Sequence, residues 1–196
     1  MYDIAQTIST KMTYSDYAGL DDGIRYELIK GELRMSHAPT VFHQRTNYKL
    51  IKILGDYVDS LSLGWVFEAP TDVVLDRYNT VQPDVIFIAK ESASKIQENA
   101  IFGAPELVAE IISPSSLIAD RYTKKELYEK SGVREYWLVD IGNKTIEVFE
   151  LTDGKFSLFS YISVHGSVNS KLFPDLSIAI EEILPDIVIV AIRESE

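Results

Sequence analysis

The stretch PELVAEIISPSS, from Pro105 to Ser116, reads as a short buried strand that runs into a turn. Leu107, Val108, Ala109, Ile111 and Ile112 form a nearly continuous apolar run, the pattern of a strand covered on both faces. Glu110 interrupts it. A carboxylate in that position is costly to desolvate unless it is paired or holds a cation. Ser113-Pro114-Ser115-Ser116 then stops the strand, because proline lacks the ladder donor. A buried acid at the C-terminal end of a strand, beside a turn, sits where open α/β sheets place their chemistry.

Around this stretch the chain offers 196 residues, enough for one domain with a real core, taken here as residues 1–196. It is 46% hydrophobic and 25% charged, which excludes disorder. It has no cysteine, which removes disulfides, thiolate metal sites and cysteine nucleophiles and fits a reducing cytoplasm. Met1–Thr10 lacks the basic start and apolar centre of a signal peptide. The most apolar segment, near the C-terminus, is broken by Glu181, Glu182, Pro185 and Asp186, so no membrane span is expected. The net charge of −11 argues against a protein that coats nucleic acid, but leaves room for an enzyme that meets it through a local groove.

Read in order, Thr13 and Asp16 mark a helix start. Tyr26–Ile29 and Glu32–Met35 form a hairpin around Lys30-Gly31. A helix is expected from about Thr40 to Ser60, with an apolar stripe that includes Leu50, Leu54 and Val58. One strand, interrupted at Pro70, is expected between Gly64 and Leu75. Asn79-Thr80 is read as a turn and Val81–Ala89 as a further strand, with Asp84 at its beginning. After the central strand, Asp120–Ser131 is read as a helix capped by Asp120 and closed by Gly132. Glu135–Asp140 is a strand, and Thr145–Leu151 with Lys155–Tyr161 a second hairpin around Thr152-Asp153-Gly154. The tail ends in a helix-like stretch. This is a single α/β domain with a mixed sheet.

Asp84, Glu110 and Lys124 stand out together. If the strands carrying the two acids are neighbours, both carboxylates can converge on one divalent cation. Magnesium takes oxygen ligands and keeps several waters; it can polarise a phosphodiester and help generate hydroxide. A nearby lysine can orient the water or stabilise developing negative charge. Each residue also has an ordinary structural use. Asp84 can cap a turn, Glu110 can pair with a buried base, and Lys124 can belong to a solvated face with Arg121, Lys125 and Lys130. There is no serine elbow and no histidine pair at zinc spacing.

The strings YELIKGEL (Tyr26–Leu33), QPDVIFI (Gln82–Ile88), GAPELVAEIISPSS (Gly103–Ser116), the D-R-x-x-K-x-x-x-Y pattern of Asp120, Arg121, Lys124 and Tyr128, GVREYWLVD (Gly132–Asp140) and SKLFPDLSIAI (Ser170–Ile180) resemble the Uma-type (Uma-two) family. These restriction-endonuclease-like proteins of the PD-(D/E)xK superfamily are abundant in cyanobacteria. The resemblance runs from about Tyr14 to Leu184. It implies a restriction-endonuclease-like mixed β-sheet flanked by helices. It also implies a site in which Asp84 is the PD aspartate and Glu110 the second acid, with the carbonyl of Ile111 as a further metal ligand. The sequence departs from the superfamily pattern at Ile112, which stands where a lysine is expected; Lys124 matches a lysine that takes its place from the following helix. Glu27 and His43 are additional candidates.

The function so implied is a Mg2+-dependent (or Mn2+-dependent) endonuclease that hydrolyses DNA phosphodiester bonds. It would act as a cytoplasmic homodimer, with Arg121 and Lys125 beside Lys124 as a substrate-binding ridge. Two alternatives stay open: a catalytically degenerate binding or assembly module, which Ile112 and the acidic charge favour, and a hydrolase of small phosphoesters. The position of Lys124 separates the first two readings.

Overall fold

The structure is a computed structural model and describes residues 11–184. Thr13 caps a short helix, α1 (Tyr14–Ala18), through a reciprocal pair of hydrogen bonds with Asp16. The hairpin β1 (Tyr26–Ile29) and β2 (Glu32–Met35) turns at Lys30-Gly31, both with positive φ. The helix α2 (Val41–Ser60) starts after Thr40, whose hydroxyl accepts from the His43 N–H.

The segment between Gly64 and Leu75 is two strands, not one. β3 (Gly64–Glu68) and β4 (Val73–Asp76) belong to different sheets, since the chain changes sheet across Ala69-Pro70. Asn79 and Thr80 are not a turn but part of β5 (Asn79–Val81). Val81–Ala89 is likewise divided, because Pro83 cannot donate to a ladder, and β6 (Val85–Ala89) begins only after Asp84. A 3-10 turn, Lys90–Lys95, and β7 (Ile101–Phe102) lead to β8 (Leu107–Ile112). The expected helix after β8 is a π-helical turn, Ala119–Lys124, followed by α3 (Lys125–Ser131), which ends at Gly132 with φ 87°. Asp120 is not a cap. The Ser116 N–H donates to the Ser113 hydroxyl at 3.2 Å, and the Asp120 N–H already donates to the Ser116 carbonyl. Asp120 therefore lies inside the helical turn, with its side chain buried.

The remaining strands are β9 (Glu135–Asp140), β10 (Thr145–Thr152), β11 (Lys155–Ser163), β12 (Ser167–Asn169) and β13 (Ser177–Ala179), before a short α4 (Ile180–Ile183). Most of the helix-like tail expected from the sequence lies outside the described residues. One sheet runs β11-β10-β9-β8-β6-β3, and a second runs β2-β1-β5-β4-β7. β6 and β8 are antiparallel neighbours, with Val85 opposite Ala109, whereas β8 and β9 are parallel. The larger sheet is thus mixed, as expected.

Strand alternation explains the apolar runs. Val85 and Phe87, Leu107, Ala109 and Ile111, and Trp137 and Val139 face one core that includes Leu50, Leu54 and Val58 of α2. Ile86 and Ile88, Val108 and Ile112, and Tyr136 and Leu138 face a second core with Leu127 and Tyr128 of α3 and residues of the smaller sheet. Central strands buried on both faces need no polar alternation. Glu110 shares a face with Val108 and Ile112, so it enters the second core, toward α3.

Two other buried acids act as staples. Glu106 accepts from the Ala89 N–H at 2.8 Å, the Ser92 hydroxyl at 2.7 Å and Lys95 at 2.8 Å. Glu135 accepts from Trp137 Nε1, the Ser170 hydroxyl and the N–H groups of Lys171 and Leu172, all between 2.6 and 2.9 Å. The second set ties the C-terminal segment to the sheet.

Leu54→Ala should lower unfolding stability by about 3 kcal/mol in chemical denaturation, from lost transfer energy and the cavity left against the sheet. Glu135→Ala should cost a comparable ~3 kcal/mol or more, because several buried donors lose their acceptor together. An unchanged denaturation midpoint in either variant would contradict the packing described.

Candidate active site

The site lies where β6, β8, the β1–β2 hairpin, the start of α2 and the π-helical turn meet. They enclose a cleft of about 460 Å³. Glu110 descends from β8, and Glu27 comes from β1. The π-helical turn presents Asp120 and Lys124 to the same point, and Tyr128 follows one turn later in α3. These three positions, spaced by four, form one helix face.

Lys124 is buried, and its ammonium contacts Glu27 Oε1 at 2.8 Å, Glu110 Oε1 at 3.1 Å and Asp120 Oδ1 at 3.7 Å. It points into the site, not to solvent. Glu110 also accepts from the Tyr128 hydroxyl at 2.6 Å. Glu27 accepts from the Gln82 N–H at 2.8 Å, which links the hairpin to the segment that carries Asp84.

Asp84 extends the ladder just before β6 begins. Its Oδ2 accepts from the Ile111 N–H at 2.7 Å, a role that a strand partner would otherwise fill. The same oxygen lies 3.2 Å from His43 Nε2. Both acids therefore attach to consecutive residues of β8, one as the side chain of Glu110 and one through the main chain of Ile111. Ile112 packs in the apolar core on the face it shares with Glu110. The ammonium beside Glu110 is that of Lys124.

The electrostatics follow from three carboxylates around one ammonium, with Asp84 near enough to act on Glu110 and Asp120. Burial pushes the Glu110 carboxyl well up; Lys124 opposes this, while Asp120, Asp84 and Glu27 add to it. Asp120 is raised for the same reasons, with burial first. Burial alone would lower Lys124, but Glu110, Glu27 and Asp120 hold it well above its ordinary value, so it stays charged. His43 is raised as well: burial opposes this, and the hydrogen bond and charge of Asp84 overcome it, with Asp120 and the Ile111 carbonyl adding to them.

This donor set suits a hard divalent cation. The hydrogen bonds described leave Asp84 Oδ1 and Glu110 Oε2 without a protein donor, and the Ile111 carbonyl borders the same space. Among the described residues no three His, Asp or Glu side chains are already gathered as a closed ligand set. Two carboxylates and one carbonyl match the few protein ligands of a largely hydrated magnesium ion, and the surplus of negative charge favours such a cation.

The sequence-predicted residues divide into two groups. Asp84, Glu110, Ile111, Lys124, Glu27 and His43 all border this cleft. Arg121 and Lys125 line a separate one. There Arg121 pairs with Glu147 at 2.7 Å, and the Lys125 ammonium sits 3.4 Å from the centre of the Phe149 ring. Sequence reasoning missed Asp120, read as a cap, and the hydroxyl of Tyr128, which it gave no role in the site. Their spacing of four from Lys124 was the available signal.

A family model described as "Uma2: Putative restriction endonuclease" matches residues 13–181. A solved structure described as a putative nuclease belonging to DUF820, from Anabaena variabilis, is similar with a TM-score of 0.73 at 17% identity, over 88% of this chain and 97% of that one. At this identity the likeness is one of fold. A search of curated proteins gives no match. With Asp84 and Glu110 bordering one cleft, and with the match spanning most of its length, this chain belongs to the Uma2 family, described as putative restriction endonucleases, and has their restriction-endonuclease-like fold.

Proposed function

We propose that this protein is a metal-dependent endonuclease that hydrolyses DNA phosphodiester bonds in the cleft above β6 and β8. One observation carries the reading: the Lys124 ammonium lies on Glu110, inside the cleft that Asp84 also borders. A degenerate module has no need to bury a lysine against three acids, because desolvating that many charges is costly without a function to retain it. The substitution at Ile112 thus leaves the chemistry in place and changes only its point of attachment.

Asp84, Glu110 and the Ile111 carbonyl would hold Mg2+ or Mn2+, which supplies Lewis-acid polarisation of the phosphodiester and a more acidic water. The other roles belong to the protein. Lys124 donates hydrogen bonds to the attacking water or to the non-bridging oxygens as charge develops on them. Glu27 and Asp120 hold its ammonium in place. His43 donates to Asp84 and restricts the carboxylate to one orientation. The apolar core around Ile112 and Tyr128 keeps water away from the back of the site, which strengthens each of these interactions.

One cleft per chain cuts one strand, so a double-strand break calls for a homodimer. The absence of cysteine accords with a cytoplasmic protein. No helix among the described residues is long and apolar enough to cross a membrane.

Asp84→Asn with Glu110→Gln should abolish both nicking of supercoiled plasmid and calorimetric Mg2+ or Mn2+ binding, with the circular dichroism spectrum retained. Nicking that survives this double change would remove the two acids from the chemistry. Lys124→Met should lower turnover by about two orders of magnitude, the range of a lost transition-state donor, while metal binding persists. The same variant leaves Glu27, Glu110 and Asp120 without their counter-ion. The folded-state proton affinity of Glu110 and Asp120, already above that of the unfolded chain, then rises further. Between the two values the native state holds more protons, so stability falls as pH rises. Thermal melts of Lys124→Met should therefore be higher near pH 5 than at pH 7, relative to wild type; a flat difference would contradict the buried acid cluster.

A further inference from the structure

We propose that Arg25 and Arg34, on the β1–β2 hairpin, form the backbone clamp of this cleft, each receiving a phosphate that flanks the one under attack. The proposal rests on the nuclease reading above and names how that site holds its substrate.

Arg34 lies opposite Glu27 in the hairpin register, so the two side chains share a face. Arg25 precedes Glu27 by two residues and shares it too. The two arginines are diagonal neighbours across the strands, roughly 7–8 Å apart at Cα. That face is the one from which Glu27 reaches Lys124, and both arginines border the cleft. They stand on either side of the acid that holds the catalytic lysine.

Their charges are uncompensated. Both are exposed, and neither has an ion-pair partner among the described residues, in a chain with a net charge of −11. Arg121, by contrast, is spent on Glu147. Arg25 is also oriented. Its guanidinium donates to the Gln82 side-chain oxygen at 3.1 and 3.4 Å, a neutral acceptor that fixes direction and leaves the charge available. Gln82 is itself held, donating through its side-chain amide to Asp72 at 2.9 Å and through its main chain to Glu27. The segment that carries Asp84 therefore sets the clamp and the acid cluster together. A guanidinium offers a planar fork to two phosphate oxygens. A cleft with surplus carboxylates at its floor needs positive charge at its rim to admit a polyanion.

The test is fluorescence anisotropy with the full-length protein in EDTA, on a 20-base-pair DNA duplex and an RNA duplex of the same sequence, between 50 and 200 mM KCl. Arg25→Ala with Arg34→Ala should weaken binding at least tenfold. It should also flatten the salt dependence by about two, since each lost phosphate contact removes about 0.9 from the slope. Arg25→Lys with Arg34→Lys should restore much of the salt slope, which a merely misfolded hairpin would not. A loss shared by both duplexes identifies backbone phosphate as the ligand, and a loss confined to DNA identifies the DNA backbone. Unchanged binding in the alanine variant overturns the proposal. So does a wild type that binds neither duplex, or a loss seen with Arg121→Ala and Lys125→Ala in its place. Plasmid nicking with Mg2+ separates the two readings. Arginine-dependent binding without nicking sinks the nuclease and keeps the clamp; wild-type nicking that is insensitive to Arg25 and Arg34 does the reverse.

Discussion

A single buried ammonium set among three carboxylates governs this structure. Lys124 can stay charged in the interior only because Glu27, Glu110 and Asp120 surround it, and those acids can share a small space only because it is there. Removing either sign leaves the other uncompensated in a medium of low dielectric, a cost of several kcal/mol. The arrangement needs three separate parts of the chain: β1 for Glu27, β8 for Glu110 and the π-helical turn for Asp120 and Lys124. The negative surplus that remains faces the cleft, where Asp84 joins it through the main chain of Ile111.

The sheet holds three buried glutamates in similar surroundings, and their partners distinguish them. Glu106 and Glu135 are satisfied mainly by main-chain N–H groups and neutral donors, with Lys95 added at Glu106. They tie segments together at the end of the sheet away from the turn after β8. Glu110 has a tyrosine and a shared lysine, and other acids lie close by. Burial alone therefore does not mark a functional acid. What marks it is burial with too many like charges for the available donors, an arrangement that stability alone does not call for.

A lysine on a helix can reach a site on a neighbouring strand, as Lys124 reaches Glu110. Ile112 occupies the strand position two residues after Glu110 and fills core volume there. The helix following β8 packs back over the same face, so its side chains reach the same point in space. The π-helical turn puts Asp120 and Lys124 on that face together with Tyr128. Chemistry depends on where the ammonium group sits, not on which backbone position carries it.

Much of this was legible in the sequence. Apolar runs without alternation placed the central strands, Lys30-Gly31 and Asp153-Gly154 placed the hairpins, and Thr13, Thr40 and Gly132 placed helix ends, because these signals are local. Asp84, Glu110 and Lys124 were visible through their motifs and the family resemblance. The missed features are non-local or depend on competition between neighbours. The chain changes sheet at Pro70, Asn79 and Thr80 join a strand because β1 and β4 are there to pair with them, and Asp120 loses its capping role to Ser113. The basic ridge expected at Arg121 and Lys125 turns to another face, where Glu147 and Phe149 hold it. The sequence determines which residue types exist and which local turns they favour. Only the packing of the hairpin, the two neighbouring strands and the helical turn decides which charges meet, because ion pairs form between side chains that folding brings within a few ångströms, whatever their separation along the chain.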